Sequence, residues 1–257
     1  MARMIFLGTG AALPYANRTN TTIAVLPDSA TPGLLIDCGG DVYGALLRAQ
    51  IAPDAIGDLL ITHAHIDHIG SLPSLIESYR LGGRTSPLRI WALPEVLSIA
   101  QRLIAVYDYE LKLHEWTYDI NFSPVEHGQE LTLGSIPARI LAMDHSLPSV
   151  GIRLELPGGA IAYTSDTQPT PNVTELARGA SMLITECTFL QDDVQHARSS
   201  KHTTALEAGH EGATSGVATL ALVHIGVGDA IDTARAEAAQ SFSGEILIPN
   251  DGDTRDV

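Results

Sequence analysis

Between residues 61 and 70 the chain reads Ile61-Thr62-His63-Ala64-His65-Ile66-Asp67-His68-Ile69-Gly70, which puts four metal-capable side chains within six residues. They follow the apolar pair Leu59-Leu60 and show no amphipathic helical period. Three imidazoles and a carboxylate this close would repel one another if charged, and each would be costly to take out of water. A divalent metal resolves that cost, because neutral imidazole nitrogen and carboxylate oxygen are among its preferred ligands. The plain alternative is a solvated turn with incidental histidines. Ten histidines in 257 residues is ordinary, but three in six directly behind a strand-like run is not.

The rest of the chain alternates short apolar or β-branched runs with helical patterns. Strands are expected at residues 4–7, 22–26 and 33–37, then a helix over 41–49 with Val42, Ala45, Leu46 and Ala49 on one face. A strand at 59–62 leads into the histidines, and a helix opens near Leu72-Pro73. Residues 88–92 read as a strand, and Pro94 opens a helix to about Tyr109. Strands follow at 130–133, 138–143, 150–156 and 160–164, the last two flanking the hairpin signal Pro157-Gly158-Gly159. A helix ends over 174–179, and strands at 182–185, 219–224 and 245–249 alternate with helices at 203–215 and 233–241. Strand-rich halves with helices outside them imply an α/β fold of two sheets packed face to face, each covered by helices. No linker or low-complexity segment divides the chain, so residues 1–257 are read as one domain.

Composition limits the partners. The formal charge is −15, and two of the 15 basic residues are Lys. Non-specific nucleic-acid binding rests on Lys and Arg contacts to phosphate. The cluster Arg80, Arg84, Arg89 and Arg102 is read as ordinary surface charge. The N-terminal run is too short for a secretory segment, and no apolar run reaches a membrane span. Cys38 and Cys187 are widely separated in apolar stretches, as buried free thiols in a reducing compartment would be. A soluble cytoplasmic protein is expected.

Three more metal-capable residues sit just beyond, or at the end of, expected strands: His145, Asp166 and His224. Singly, each reads as a loop His, a turn Asp or a satisfied buried His. With the first cluster they make seven ligands, enough for two metals with open positions. At this point the chain resembles the metallo-β-lactamase-fold hydrolases, and among them ribonuclease Z and its shorter phosphodiesterase relatives. His63, His65, Asp67 and His68 match the His-x-His-x-Asp-His motif. Phe6-Leu7-Gly8-Thr9-Gly10 with Pro14 and Arg18, Ile36-Asp37-Cys38-Gly39, residues 80–84, residues 144–149 and Asp251-Gly252 look like further family segments. The resemblance implies a four-layer αββα sandwich. It implies two zinc ions per chain, one held by His63, His65 and His145, the other by Asp67, His68 and His224, with Asp166 bridging. His rather than Glu at position 65 favours zinc over iron. Asp67 counts both as a ligand and as a catalytic residue. The metals would lower the pKa of water from about 15.7 to about 7, supplying hydroxide as nucleophile.

The same resemblance implies a general acid. Lys201-His202-Thr203-Thr204-Ala205 looks like the family's His-Ser-Thr-Ala segment, with His202 as proton donor to the leaving group. Glu186, in Thr185-Glu186-Cys187-Thr188-Phe189, would hold its ring. Three features depart from ribonuclease Z. Thr185 stands where a His is usual, residues 225–229 lack the basic and aromatic residues common there, and residues 150–165 leave no room for the long arm that grips tRNA. With the acidic charge, this makes large structured RNA a poor substrate. A small or short phosphodiester, such as a cyclic nucleotide or cyclic phosphate, is expected. The alternatives are tRNA 3′ processing with a partner supplying the RNA grip, a lactonase, thioesterase-like or arylsulfatase-type hydrolase on the same site, or a metal-binding scaffold. Relatives are commonly homodimers, and residues 94–112 are the candidate surface. His114, His127, His196 and His210 receive no role.

Overall fold

The structure is a computed structural model that describes residues 2–28, 31–108, 117–228 and 230–257. The first half runs β1 (Arg3–Gly8), β2 (Thr22–Leu26), β3 (Gly33–Ile36), α1 (Val42–Arg48), β4 (Ile56–Leu60), α2 (Ile66–Ile69), α3 (Leu72–Leu81), β5 (Leu88–Ala92), α4 (Pro94–Asp108) and β6 (Ile120–Pro124). The second half runs β7 (Glu130–Leu133), β8 (Ile136–Met143), β9 (Ser149–Leu154), β10 (Ile161–Tyr163), α5 (Pro171–Ala177), β11 (Met182–Cys187), α6 (Val194–Ser200), α7 (Ala205–Ser215), β12 (Thr219–Ile225), α8 (Ile231–Ala238), β13 (Glu245–Leu247) and β14 (Thr254–Asp256). One sheet has the order β14-β1-β2-β3-β4-β5-β6, the other β13-β12-β11-β10-β9-β8-β7. The chain thus returns at its end to pair β14 with β1 in the first sheet.

The alternation of strand side chains builds the layers. In β2, Ile23 and Val25 face the interior between the sheets, where they join Met4, Phe6, Ile140, Ile152 and Val223. Ala24 faces the other way, onto a core shared with Val42 and Leu46 of α1 and Leu75, Ile76 and Tyr79 of α3. Strand β12 does the same in the second sheet. Ala221 and Val223 point between the sheets, whereas Leu220 and Leu222 pack under α5, α7 and α8. Burial on both faces explains why these strands read as continuous apolar runs. The expected αββα layering is what forms. Cys38 and Cys187 are buried free thiols.

Several details differ from the sequence reading. Strand β3 ends at Ile36 because Asp37 takes a left-handed backbone, φ 64°, which turns the chain out of the sheet. The last strand is β14, and β6 was not foreseen. Arg84 is no surface charge. It is 1% exposed and donates to the carbonyls of Pro53, Ile56, Ser86 and Pro87. Arg80 pairs with Glu77 and Arg89 with Asp58, so with Arg84 three of the four arginines are engaged within the fold. The hairpin is as expected, with Ile161 paired to Leu154 and a short turn between β9 and β10. Helix α4 is described to Asp108; Tyr109 and residues 110–112 of the candidate dimer surface lie outside the described residues, as does His114.

Candidate metal centre

Strands β3 to β6 run parallel, as do β10 to β13, and β8 shares the direction of β10 through the antiparallel β9. Their C-terminal ends therefore meet along one edge of the sandwich. Ser165 donates to Thr62 across the two sheets at 2.8 Å, and the Val150 amide reaches the Thr62 carbonyl at 3.2 Å. From that edge β4 delivers His63 to His68, β8 delivers His145, β10 delivers Asp166 and β11 carries Glu186. His224 lies inside β12 rather than after it, with φ 51°, where the pairing with β11 shifts register.

Helix α2 holds Asp67 and His68 only because the neighbouring chain can approach closely. A Cβ on Gly39 would sit 1.5 Å from the Asp67 carbonyl oxygen, so no other residue fits there. Residues 37–39 thus form a seat for α2, with the Cys38 amide donating to the His68 carbonyl at 2.8 Å.

The side chains gather into two groups. His63, His65, His145 and Asp166 present ligand atoms within 4.8 Å of one another, as do Asp67, His68, Asp166 and His224. Asp166 belongs to both. Its Oδ2 lies 3.7 Å from His63 Nε2, 3.4 Å from His68 Nε2, 4.0 Å from His145 Nε2 and 3.3 Å from His224 Nε2. The two groups bring together the seven residues expected as ligands. Their buried atoms include orphans. Among the described residues, His68 Nε2 and Asp166 Oδ1 are buried with no hydrogen-bond partner. Buried polar groups are normally satisfied, so two orphans on residues of these groups, amid nitrogen and carboxylate donors, fit a divalent cation.

Electrostatics agree. Burial, with neighbouring histidines, keeps His63 and His65 below the usual imidazole range, and burial does the same to His145. The three rings therefore favour the neutral form, which has one unprotonated nitrogen each. Burial disfavours charge on Asp166, but His224 and His68 outweigh it and hold the carboxylate ionised. Burial likewise opposes a proton on His68, and Asp166 and Asp37 outweigh that. Without a cation, then, a proton at His68 balances the carboxylates; metal binding would displace it.

Ring orientation comes from residues that sequence reasoning did not assign. Asp37 accepts from His68 Nδ1 at 2.8 Å and from the Thr62 amide and hydroxyl, which aims His68 Nε2 at Asp166. Thr188 Oγ1 lies 2.9 Å from His224 Nδ1, and the Lys201 carbonyl accepts from His145 Nδ1 at 3.0 Å. Among these, Asp37 carried the clearest sequence signal, an acidic residue immediately after an apolar strand.

His202 lies beside the centre, its ring stacked on His224 at 5.6 Å between centroids. Its Nδ1 donates to Glu186 at 2.9 Å. Glu186 is almost fully buried and also accepts from the Thr167 and Thr203 amides and the Thr188 hydroxyl. Four donors leave it little capacity for a metal. Burial lowers the basicity of His202, but Glu186 outweighs it and raises the ring to about 9, so it carries a proton at neutral pH. Nearby metal cations would pull that value back down. The Thr204–Glu207 capping box starts α7 immediately after this residue and fixes its backbone. Of the unassigned histidines, the described ones, His127, His196 and His210, are not among the side chains gathered at the centre. His127 accepts from the Ala142 amide, His196 is exposed against the Phe189 ring, and His210 is exposed on α7.

The fold and this edge-on cluster define a metallo-β-lactamase-fold hydrolase similar to ribonuclease Z. The ribonuclease Z of Methanothermobacter thermautotrophicus is 29% identical over 270 aligned positions, covering 88% of this chain and 87% of that one. The metallo-β-lactamase fold protein YhfI from Bacillus subtilis superposes with a TM-score of 0.83 at 25% identity, over 99% of this chain and 98% of that chain. The short form of human tRNase Z superposes with a TM-score of 0.79 at 20% identity, over 99% and 98%. Residues 2–209 match the model of the anti-Pycsar protein Apyc1 family, and the chain belongs to that family. The match takes in six of the seven candidate ligands, Glu186 and His202, and stops before His224.

Proposed function

We propose that this chain is a cytoplasmic dinuclear-zinc phosphodiesterase acting on a small or short phosphodiester, such as a cyclic nucleotide or cyclic phosphate. The family's named opposition to Pycsar is carried to this chain as part of that reading. The observation that carries it is the His202–Glu186 pair, an imidazole held at 2.9 Å by a buried carboxylate with three further donors and stacked against the candidate ligand cluster. Esters with poor alkoxide leaving groups need such a donor; thioesters and activated lactones need it much less.

His63, His65 and His145 would hold one zinc, Asp67, His68 and His224 the other, with Asp166 between them. When bound, the metals would generate a nucleophile from water near neutral pH and polarise the phosphoryl oxygens. The protein's own contribution is positional. Asp37, Thr188 and the Lys201 carbonyl set the ring nitrogens toward the centre, and His202 delivers a proton to the departing oxygen while Glu186 stabilises its charged form. Asp67 Oδ2 faces His224 Nε2 at 3.2 Å, as two ligands of one cation would.

The turn between β9 and β10 spans residues 155–160, too few for an arm. The alignment with the archaeal ribonuclease Z spends 270 positions on 88% of a 257-residue chain, so that relative carries residues with no counterpart here. The charge of −15 repels a polyanion. No helix among the described residues is long and apolar enough to cross a membrane. Exposed Val106 and Tyr107 on α4 support a homodimer interface. The two sheets share one interior core, which supports a single domain over residues 1–257.

The test is turnover by zinc-loaded protein of 3′,5′-cyclic nucleotides, a chromogenic diester, a lactone, a thioester and a precursor tRNA. Zinc-dependent hydrolysis of the diesters above the carbon esters is expected. Cleavage of the precursor tRNA by the chain alone, with no diester turnover, would move the assignment to RNA processing.

A further inference from the structure

Lys201 lies between the end of α6 and the proton donor His202, in a left-handed backbone conformation with φ 57° and ψ 53°. A non-glycine residue rarely adopts it and does so at a cost. The conformation turns the Lys201 carbonyl onto His145 Nδ1 at 3.0 Å. Its side chain reaches back to the neighbour of that same ligand, with Nζ donating to Asp144 Oδ1 at 2.8 Å. The other Asp144 oxygen accepts from Gln168 Nε2 at 2.6 Å, and the Asp144 carbonyl accepts from the Gln168 amide at 3.0 Å. Gln168 is two residues past Asp166. One exposed carboxylate therefore joins three loops, those ending in the ligand His145, the shared Asp166 and the donor His202.

We propose that Lys201 and Asp144 are positioning residues that set the His145 ring and the His202 ring as one unit. The Lys201 carbonyl aims the His145 lone pair at the metal, and the ammonium–carboxylate contact holds that carbonyl in place. The same backbone turn places His202 beside His224. An ion pair with both partners over 40% exposed contributes little to global stability. Its loss therefore registers in the orientation of the two rings, and hardly in the melting temperature. This inference rests on the proposed roles of His145 as ligand and His202 as acid.

The experiment compares wild type, Lys201→Met, Lys201→Gly and Lys201→Arg. Zinc affinity is measured by competition with a chromogenic chelator. The rate ratio between an alkyl diester and a p-nitrophenyl diester reports the proton donor. Met and Gly at position 201 should weaken zinc binding about tenfold and depress the alkyl-to-nitrophenyl ratio by a similar factor. Arg should restore both. Lys201→Gly removes the left-handed strain, so its melting temperature should hold or rise while zinc affinity falls. Zinc affinity within about twofold of wild type in both the Met and Gly variants overturns the proposal. A His202→Ala control separates the readings. If it leaves the leaving-group ratio unchanged, the acid role of His202 fails, and the zinc measurement alone decides the role of Lys201.

Discussion

Asp37 accepts three hydrogen bonds while fully buried, two from Thr62 and one from His68. Replacing it with Asn keeps the volume but offers an amide where His68 Nδ1–H needs an acceptor. Asp37→Asn should weaken zinc binding about 10- to 100-fold, measured by chelator competition; unchanged affinity would show that His68 needs no such orientation. His202→Ala should slow an alkyl diester by about 10²–10⁴ and a p-nitrophenyl diester far less, read as the difference in kcat. At this scale the sequence was legible where ligands are neighbours. His63 to His68 announce themselves by spacing. His145, Asp166 and His224 each have an ordinary reading alone, because what makes them candidate ligands is the meeting of the C-terminal ends of β8, β10 and β12. Asp37 and Thr188 were not assigned, since their partners lie 31 and 36 residues away.

Helix α7 carries a second buried acid that the site does not use. Both carboxylate oxygens of Glu211 are buried, with the Thr170 backbone as a nearby donor that only partly offsets the burial. Burial pushes this side chain up to about 8. The folded state thus favours the protonated form, so its stabilising effect is present below the unfolded value near 4.5 and is lost as pH rises toward 8. Glu211→Gln should melt several degrees above wild type at pH 9, on the order of a few kcal/mol, and close to wild type at pH 5. Equal shifts at both pH values would mean that Glu211 is not the titrating group. Elements were legible in proportion to their burial. Strand β12 announces itself as an apolar run, whereas β14 is Thr254-Arg255-Asp256 and becomes a strand only by pairing with β1. Strand β6 ends the first sheet with exposed positions and a Pro, which blunt its pattern.

Across the whole molecule, the sandwich brings ligands from both sheets to one edge, so metal should bind the folded state and hold the sheets together. Chelation should lower the melting temperature, and zinc at 100 times its dissociation constant should restore about 2.7 kcal/mol per site. The layering could be read from the strand and helix order and from the resemblance, whereas the strand order within each sheet comes from the structure. The pairing of Arg80, Arg84 and Arg89 could not be read, because it depends on where strands and turns place their carbonyls and carboxylates. Those pairings engage three of the four arginines and add to the acidic balance of the chain in disfavouring a polyanion. Little tRNA retention at physiological salt is therefore expected in a filter-binding assay; tight, salt-sensitive retention would contradict it. The central claim is that the two-metal edge with His202 beside it hydrolyses a small phosphodiester. Its most direct test is to quantify bound zinc and 3′,5′-cyclic nucleotide hydrolysis on the same preparation. The account predicts two zinc ions per chain and turnover that disappears with chelation and returns with zinc. A protein holding both ions that leaves cyclic nucleotides and other small diesters intact would contradict it.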